Sequence, residues 1–124
     1  LAIKKECGVI VMHRNPGSEN IHQKADYEDV VDQVNTHLII QTENLIEKGV
    51  NRSQIAVDPG LGFGKKMEDS KELFFNLHNL INTYPIVVGY SRKKFTDQLN
   101  MTNNEMIDHC LDSGVDLLRL HLDN

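Results

Sequence analysis

The sequence has no tryptophan, two cysteines, three prolines and an aromatic share of only 6%. Cys7 and Cys110 form no metal or redox spacing, so the sequence predicts neither a disulfide scaffold nor a zinc module, and a reducing, cytosolic setting is expected. The six histidines are scattered without a ligand pattern, which argues against a structural metal site. No apolar run approaches the length of a membrane span, and no signal peptide is visible. Positive charge is scarce as well: 13 basic residues against 18 acidic ones leave a net charge of -5 and no basic stripe. That balance argues against nonspecific nucleic-acid binding. At 124 residues, 40% of them hydrophobic, the chain can build a modest core as one domain or part of one. It opens on Leu1 and runs almost at once into an apolar strand, as a processed or partial chain would.

What is present centres on residues 54–65, Gln-Ile-Ala-Val-Asp-Pro-Gly-Leu-Gly-Phe-Gly-Lys. The short β-prone run Ile55-Ala56-Val57 is followed at once by Asp58 and then by a Pro/Gly cluster, the pattern of a buried strand and its turn. Asp58 is thereby placed at the C-terminal tip of a strand, where parallel α/β sheets hold their ligands. Two phosphate loops fail here on spacing. A Walker loop needs Lys-Ser/Thr after its last glycine, whereas Gly64 precedes Lys65-Lys66; a dinucleotide fingerprint begun at Gly60 needs glycine at position 65. An isolated Asp-Pro-Gly is as readily a plain turn as a site, so the rest of the chain has to decide.

The run 8–13 (Gly-Val-Ile-Val-Met-His) reads as a strand buried on both faces, with His13 as a packing residue at its end. From Asp26 to Lys48 the period changes. Tyr27, Val30, Val31, Val34, Leu38, Thr42, Leu45 and Ile46 recur at three- and four-residue steps, which predicts a long amphipathic helix. A second helix is expected from a Ser70 cap, with Leu73, Phe74, Leu77, Leu80 and Ile81 as its buried stripe and His78 on the solvated flank. Ile86-Val87-Val88-Gly89 is a third buried strand, ending in the basic run 90–94. Residues 104–112 predict a short helix, and 115–121 a last strand too apolar for an exposed edge. Alternation along that strand puts Arg119 and His121 on one face and Leu118 and Leu120 on the other. The chain thus reads strand-helix four times, with His13, Asp58, Ser91/Lys93 and Arg119/His121 at successive strand ends. One such group is noise, but four in register predict a site.

These residues resemble a known family. Val11-Met12-His13, Tyr27-Glu28-Asp29-Val30-Val31, Asp58-Pro59-Gly60-Leu61-Gly62-Phe63-Gly64-Lys65, Gly89-Tyr90-Ser91-Arg92-Lys93 and Arg119-Leu120-His121 are similar, in order and approximate spacing, to the second half of dihydropteroate synthase. The resemblance implies a (β/α)8 TIM barrel, with residues 1–124 as the C-terminal half of a pterin-binding domain carrying strands five to eight. It implies a cytoplasmic, homodimeric transferase of folate biosynthesis. The reaction condenses 6-hydroxymethyl-7,8-dihydropterin diphosphate with p-aminobenzoate and releases diphosphate. By the same resemblance Asp58 and Lys93 bind the pterin, with Met12, Phe63 and Gly89 lining its site. Ser91 holds the p-aminobenzoate carboxylate, Arg119 and His121 grip the diphosphate, and Lys93, Arg119 and His121 form the catalytic set. Magnesium is expected with the diphosphate, without an identifiable protein ligand.

The chain departs from the family pattern in several places. Motifs of the first barrel half are missing, His13 is followed by Arg14-Asn15-Pro16-Gly17 rather than Met-x-Gly, and Leu122-Asp123 replaces Asp-Val after His121. The stretch between Lys93 and Gly114 is also short for the family. Two other readings share these residues. A pterin-dependent methyltransferase has the same barrel, but Ser91-Arg92-Lys93 argues against it. A catalytically inactive pterin-binding homologue is favoured modestly by the altered residues after His13 and His121.

Overall fold

The computed structural model describes residues 8–13, 28–62, 65–89 and 99–119. Within them the apolar runs form strands β1 (Val9–Met12), β2 (Ile55–Asp58), β3 (Val87–Gly89) and β4 (Leu117–Arg119). β1 and β2 pair in parallel, Val9 level with Ile55 and Met12 level with Asp58. β3 and β4 also pair in parallel, Val87 level with Leu117 and Gly89 level with Arg119. A parallel bridge between Val57 and Ile86 joins the two pairs, supported by the Val57 N–H donating to the Pro85 carbonyl at 2.9 Å. The strands therefore stand side by side in chain order.

Parallel neighbours need a crossover between them, usually a helix. Helix α1 (Val30–Glu47) lies between β1 and β2, α2 (Met67–Phe75) between β2 and β3, and α3 (Asn103–Asp112) between β3 and β4. The Asp29 side chain starts α1 by accepting the Asp32 N–H at 3.1 Å, which satisfies one of the helix's orphan donors. Thr102 and Glu105 form a reciprocal capping box at the start of α3. The α1 stripe is buried at Val30, Val34, Leu38 and Thr42. Ile46, expected on that stripe, is exposed in the last turn, while its neighbour Leu45 packs against the core.

α2 differs more from expectation. It begins at Met67, with Lys66 rather than Ser70 at its N-cap position, and ends at Phe75. The Asn76 amide donates back to the Glu72 carbonyl at 2.7 Å, and a 3-10 turn, Leu77–Asn79, carries the chain on. Leu77 and Leu80 still reach the core through that turn. His109 ties α3 to α2: its Nε2 lies 2.7 Å from the Phe74 carbonyl and its ring packs against the Phe74 ring.

Among the described residues the main core lies on the helix side of the sheet, with Val87 also buried on the other side. Ile55, Val57, Ile86 and Val88 pack with Val34, Leu38, Leu73, Phe74, Leu77 and Met106, all nearly inaccessible. Each such side chain contributes about 1.5–3 kcal/mol relative to exposure. On the opposite face Ile10 is 57% exposed and Leu117 56%. Among the described residues β4 pairs with β3 alone, and no second layer lies over that face. Three strand-helix units and a fourth strand are described; whatever follows β4 lies outside them. Among the described residues no helix is long and apolar enough to cross a membrane.

Candidate active site at the strand ends

Strand alternation decides what the uncovered face presents. Val9 and Val11 pack toward the helices, so Ile10 and Met12 face the other way, and in β2 the half-buried Ala56 and Asp58 do the same. In the second pair Leu118 turns to the core while Leu117 and Arg119 are exposed. Met12, Asp58, Gly89 and Arg119 thus lie on one face, at the C-terminal ends of four adjacent parallel strands. They are not all level. Val57 is level with Ile86, which puts Asp58 level with Val87 and two residues below Gly89 and Arg119. At the rise of a parallel strand that offset is about 6.6 Å.

The turn after β2 is built around Gly60. Its φ is +72°, and a Cβ there would lie 2.0 Å from the His13 carbonyl oxygen, so only glycine lets the turn close against the end of β1. The same approach is fixed by the His13 N–H donating to the Asp58 carbonyl at 3.0 Å. Both polar groups of the Gly60 backbone are taken. Its N–H donates to Asp58 Oδ1 at 2.8 Å, and its carbonyl accepts from Lys65 Nζ at 2.7 Å. Farther along the turn, the Gly62 N–H donates to Ser70 Oγ at 3.0 Å. Ser70 therefore pins this loop from inside α2, which begins three residues before it.

Lys65 is 2% exposed, and His13 is equally buried. His13 packs edge-on against His37 of α1, with ring centroids 4.8 Å apart. Burial brings the Lys65 ammonium down to about 8, although Asp58 and Asp69 both favour its charge. Burial, with Lys65 and His37 adding to it, pushes His13 down to about 3. His37 is lowered by burial and by Lys65. Burial raises the Asp58 carboxyl, and the Gly60 N–H, Arg119 and Lys65 counter this only in part. His13 stands where the sequence places it, at a strand end, but Lys65 and His37 were assigned no role by sequence; the available signal for Lys65 was a lysine five residues after the Gly60 that a tight turn requires.

Of the residues expected in the site, Met12, Asp58, Gly89 and Arg119 are brought to one face. Phe63, Ser91, Lys93 and His121 lie outside the described residues. A cavity of about 360 Å³ opens elsewhere, between α1 and α2, lined by Asp29, Asp32, Asn35, Glu72, Asn76 and Asn79. None of the strand-end residues reaches it. Among the described residues no group of three or more His, Cys, Asp or Glu side chains could hold a metal ion.

Comparison with known proteins identifies this arrangement. The family model described as pterin binding enzyme matches residues 1–121. The dihydropteroate synthase of Mycobacterium leprae is 35% identical over 98 residues, covering 76% of this chain and 34% of the relative. That of Neisseria meningitidis serogroup C is 31% identical over 101 residues, covering 80% of this chain and 36% of the relative. The chain therefore spans about a third of the length of these curated relatives. Among solved structures, Xanthomonas albilineans dihydropteroate synthase with 4-aminobenzoic acid superposes with a TM-score of 0.80 at 26% identity, over 95% of this chain and 45% of that one. The Anaplasma phagocytophilum dihydropteroate synthase with bound 6-hydroxymethylpterin-monophosphate gives 0.78 at 26%, over 95% and 50%. The chain thus shares the α/β order of these structures, and it belongs to the pterin-binding enzyme family, whose named relatives here are dihydropteroate synthases.

Proposed function

We propose that this chain is part of a dihydropteroate synthase, supplying strands five to eight of its (β/α)8 barrel, and that its uncovered sheet face is the barrel interior. The reaction joins the p-aminobenzoate amine to the methylene carbon of 6-hydroxymethyl-7,8-dihydropterin diphosphate. A C–N bond forms, the C–O bond to diphosphate breaks, and the amine releases a proton. No protein nucleophile is needed, and catalysis is positioning with stabilisation of the departing charge.

The observation that carries this reading is the offset between Asp58 and Arg119. A flat ring held at the depth of Asp58 sends its side arm outward along the strands, and a group about 6.6 Å farther out is level with the Arg119 backbone, within reach of its long side chain. Asp58 accepts the ring's N–H donors. With Oδ1 already accepting the Gly60 N–H, Oδ2 and the remaining Oδ1 lone pair serve the ligand. Arg119 offers a planar fork to phosphate oxygens, and in this proposal His121 assists it. Lys93 joins Asp58 on the pterin, Met12, Phe63 and Gly89 line its place, and Ser91 takes the p-aminobenzoate carboxylate. Magnesium has no fitting side-chain cluster among the described residues, and no step is assigned to it. A cytoplasmic homodimer belongs to the same proposal.

The test is calorimetric titration of the protein, with the remainder of its barrel, by 6-hydroxymethylpterin and by its monophosphate. Asp58→Asn turns one acceptor into a donor facing donors and should weaken both ligands by about 1.5–3 kcal/mol. Arg119→Ala should weaken the monophosphate and leave the unphosphorylated pterin nearly unchanged. Equal loss for both ligands in Arg119→Ala, or wild-type pterin affinity in Asp58→Asn, would refute the assignment. Pterin binding without dihydropteroate formation would leave the inactive homologue as the correct reading.

A further inference from the structure

The buried ammonium behind the Gly60 turn is more costly than a turn requires. A lysine taken out of water loses strong hydration, and a proline-glycine turn closes without one. Lys65 nevertheless places Nζ on the Gly60 carbonyl, 2.7 Å away, while Asp58 Oδ1 holds the N–H of the same residue. The site's carboxylate and the buried lysine therefore grip one glycine from its two sides.

Resting on the pterin-binding reading above, we infer that Lys65 is a positioning residue for Asp58: by holding the Gly60 carbonyl it fixes the turn whose N–H orients the Asp58 carboxylate, and its charge favours the ionised acceptor that the pterin needs. Lys65 does not touch the ligand in this role. It acts through Gly60 and through the field at Asp58, and the alternative is a lysine that merely fills space behind the loop.

Charge separates the two. Among the described residues, those that act electrostatically on Lys65 or feel its charge include Asp58 from β2, Asp69 from α2, His13 from the end of β1 and His37 from α1; Arg119 acts on Asp58 from β4. Both histidines are pushed below their ordinary range and are neutral from about pH 7 upward, and an arginine keeps its charge. Lys65, at about 8, loses its proton inside the accessible range. A positioning ammonium should then lose its effect as pH rises through that value, whereas a space-filling side chain should not.

The experiment compares pterin affinity in wild type and Lys65→Met at about pH 7 and about pH 9.5, using 6-hydroxymethylpterin and the protein with the remainder of its barrel. Taking the ratio of the two affinities cancels the ionisation of the ligand itself. The expected ratio is roughly tenfold to a hundredfold in favour of wild type at the lower pH, the range of one charged hydrogen bond, falling several-fold at the higher. A ratio that is large but independent of pH, or close to one throughout, overturns the inference. Should wild type bind no pterin at all, the functional reading fails instead. A second measurement needs neither ligand nor variant: the Gly60 amide resonance of the wild-type protein, followed by NMR, should shift with a midpoint near pH 8. Its absence from that range refutes the clamp.

Discussion

Two glycines of the same turn offer a controlled pair of substitutions. Gly60 has φ +72° and Gly62 has φ +83°, so alanine at either enters the left-handed region and costs about 1–2 kcal/mol. Their surroundings differ. A methyl at Gly62 meets nothing within 4 Å, whereas at Gly60 it would stand 2.0 Å from the His13 carbonyl oxygen. An ordinary carbon-oxygen contact is about 3.3 Å, so the turn and the end of β1 must part by roughly 1.3 Å. That movement strains the His13 N–H to Asp58 carbonyl bond and the Gly60 N–H to Asp58 Oδ1 bond, each worth about 0.5–1.5 kcal/mol net, or more where the acceptor is charged. Gly62→Ala should thus cost about 1–2 kcal/mol, and Gly60→Ala about 3–5 kcal/mol together with most pterin affinity. Urea unfolding of both variants beside wild type measures the difference. If Gly60→Ala is no less stable than Gly62→Ala, the ends of β1 and β2 are not as close as described and the argument falls.

Two further outcomes are expected. His13, lowered to about 3 in the fold against about 6.5 unfolded, binds fewer protons folded than unfolded between those values, so its contribution to stability is lost as pH falls through 6.5 toward 3. The ceiling is about 5 kcal/mol, with about 2 kcal/mol lost between pH 7 and pH 5. His13→Gln should lose that much less than wild type in urea unfolding at the two pH values, and equal losses would remove His13 as the cause. Thr102→Ala removes the side-chain acceptor of the Glu105 N–H and should cost about 1 kcal/mol; an unchanged urea midpoint would mean that the cap contributes nothing.

Strand positions and the Asp58 end were legible because burial writes itself as uninterrupted apolar runs stopped by a turn. Val30, Val34 and Leu38 gave α1 through their spacing for the same reason. What could not be read depends on contacts between elements. Ser70 looks like a helix cap by residue type, yet its hydroxyl accepts from Gly62 eight residues back, a bond that exists only once the turn has folded over α2. Lys65, in a glycine-rich stretch with Lys66 beside it, has the signature of a solvated loop residue. Its burial follows from the Gly60 backbone turning a carbonyl inward to meet it. Leu117 reads as interior because its strand is apolar, but the face it occupies has no covering layer among the described residues.

The side-by-side order of β1 to β4 has a consequence for synthesis. Each strand after β1 docks on the strand made before it, through a connection short enough to close while later residues are still being added. β2 can align on β1, and β3 on β2, without waiting for chain yet to leave the ribosome. Loop-closure entropy is therefore met in small successive steps rather than in one large one. For these four strands, growth by addition at one edge replaces one distant encounter with three nearer ones.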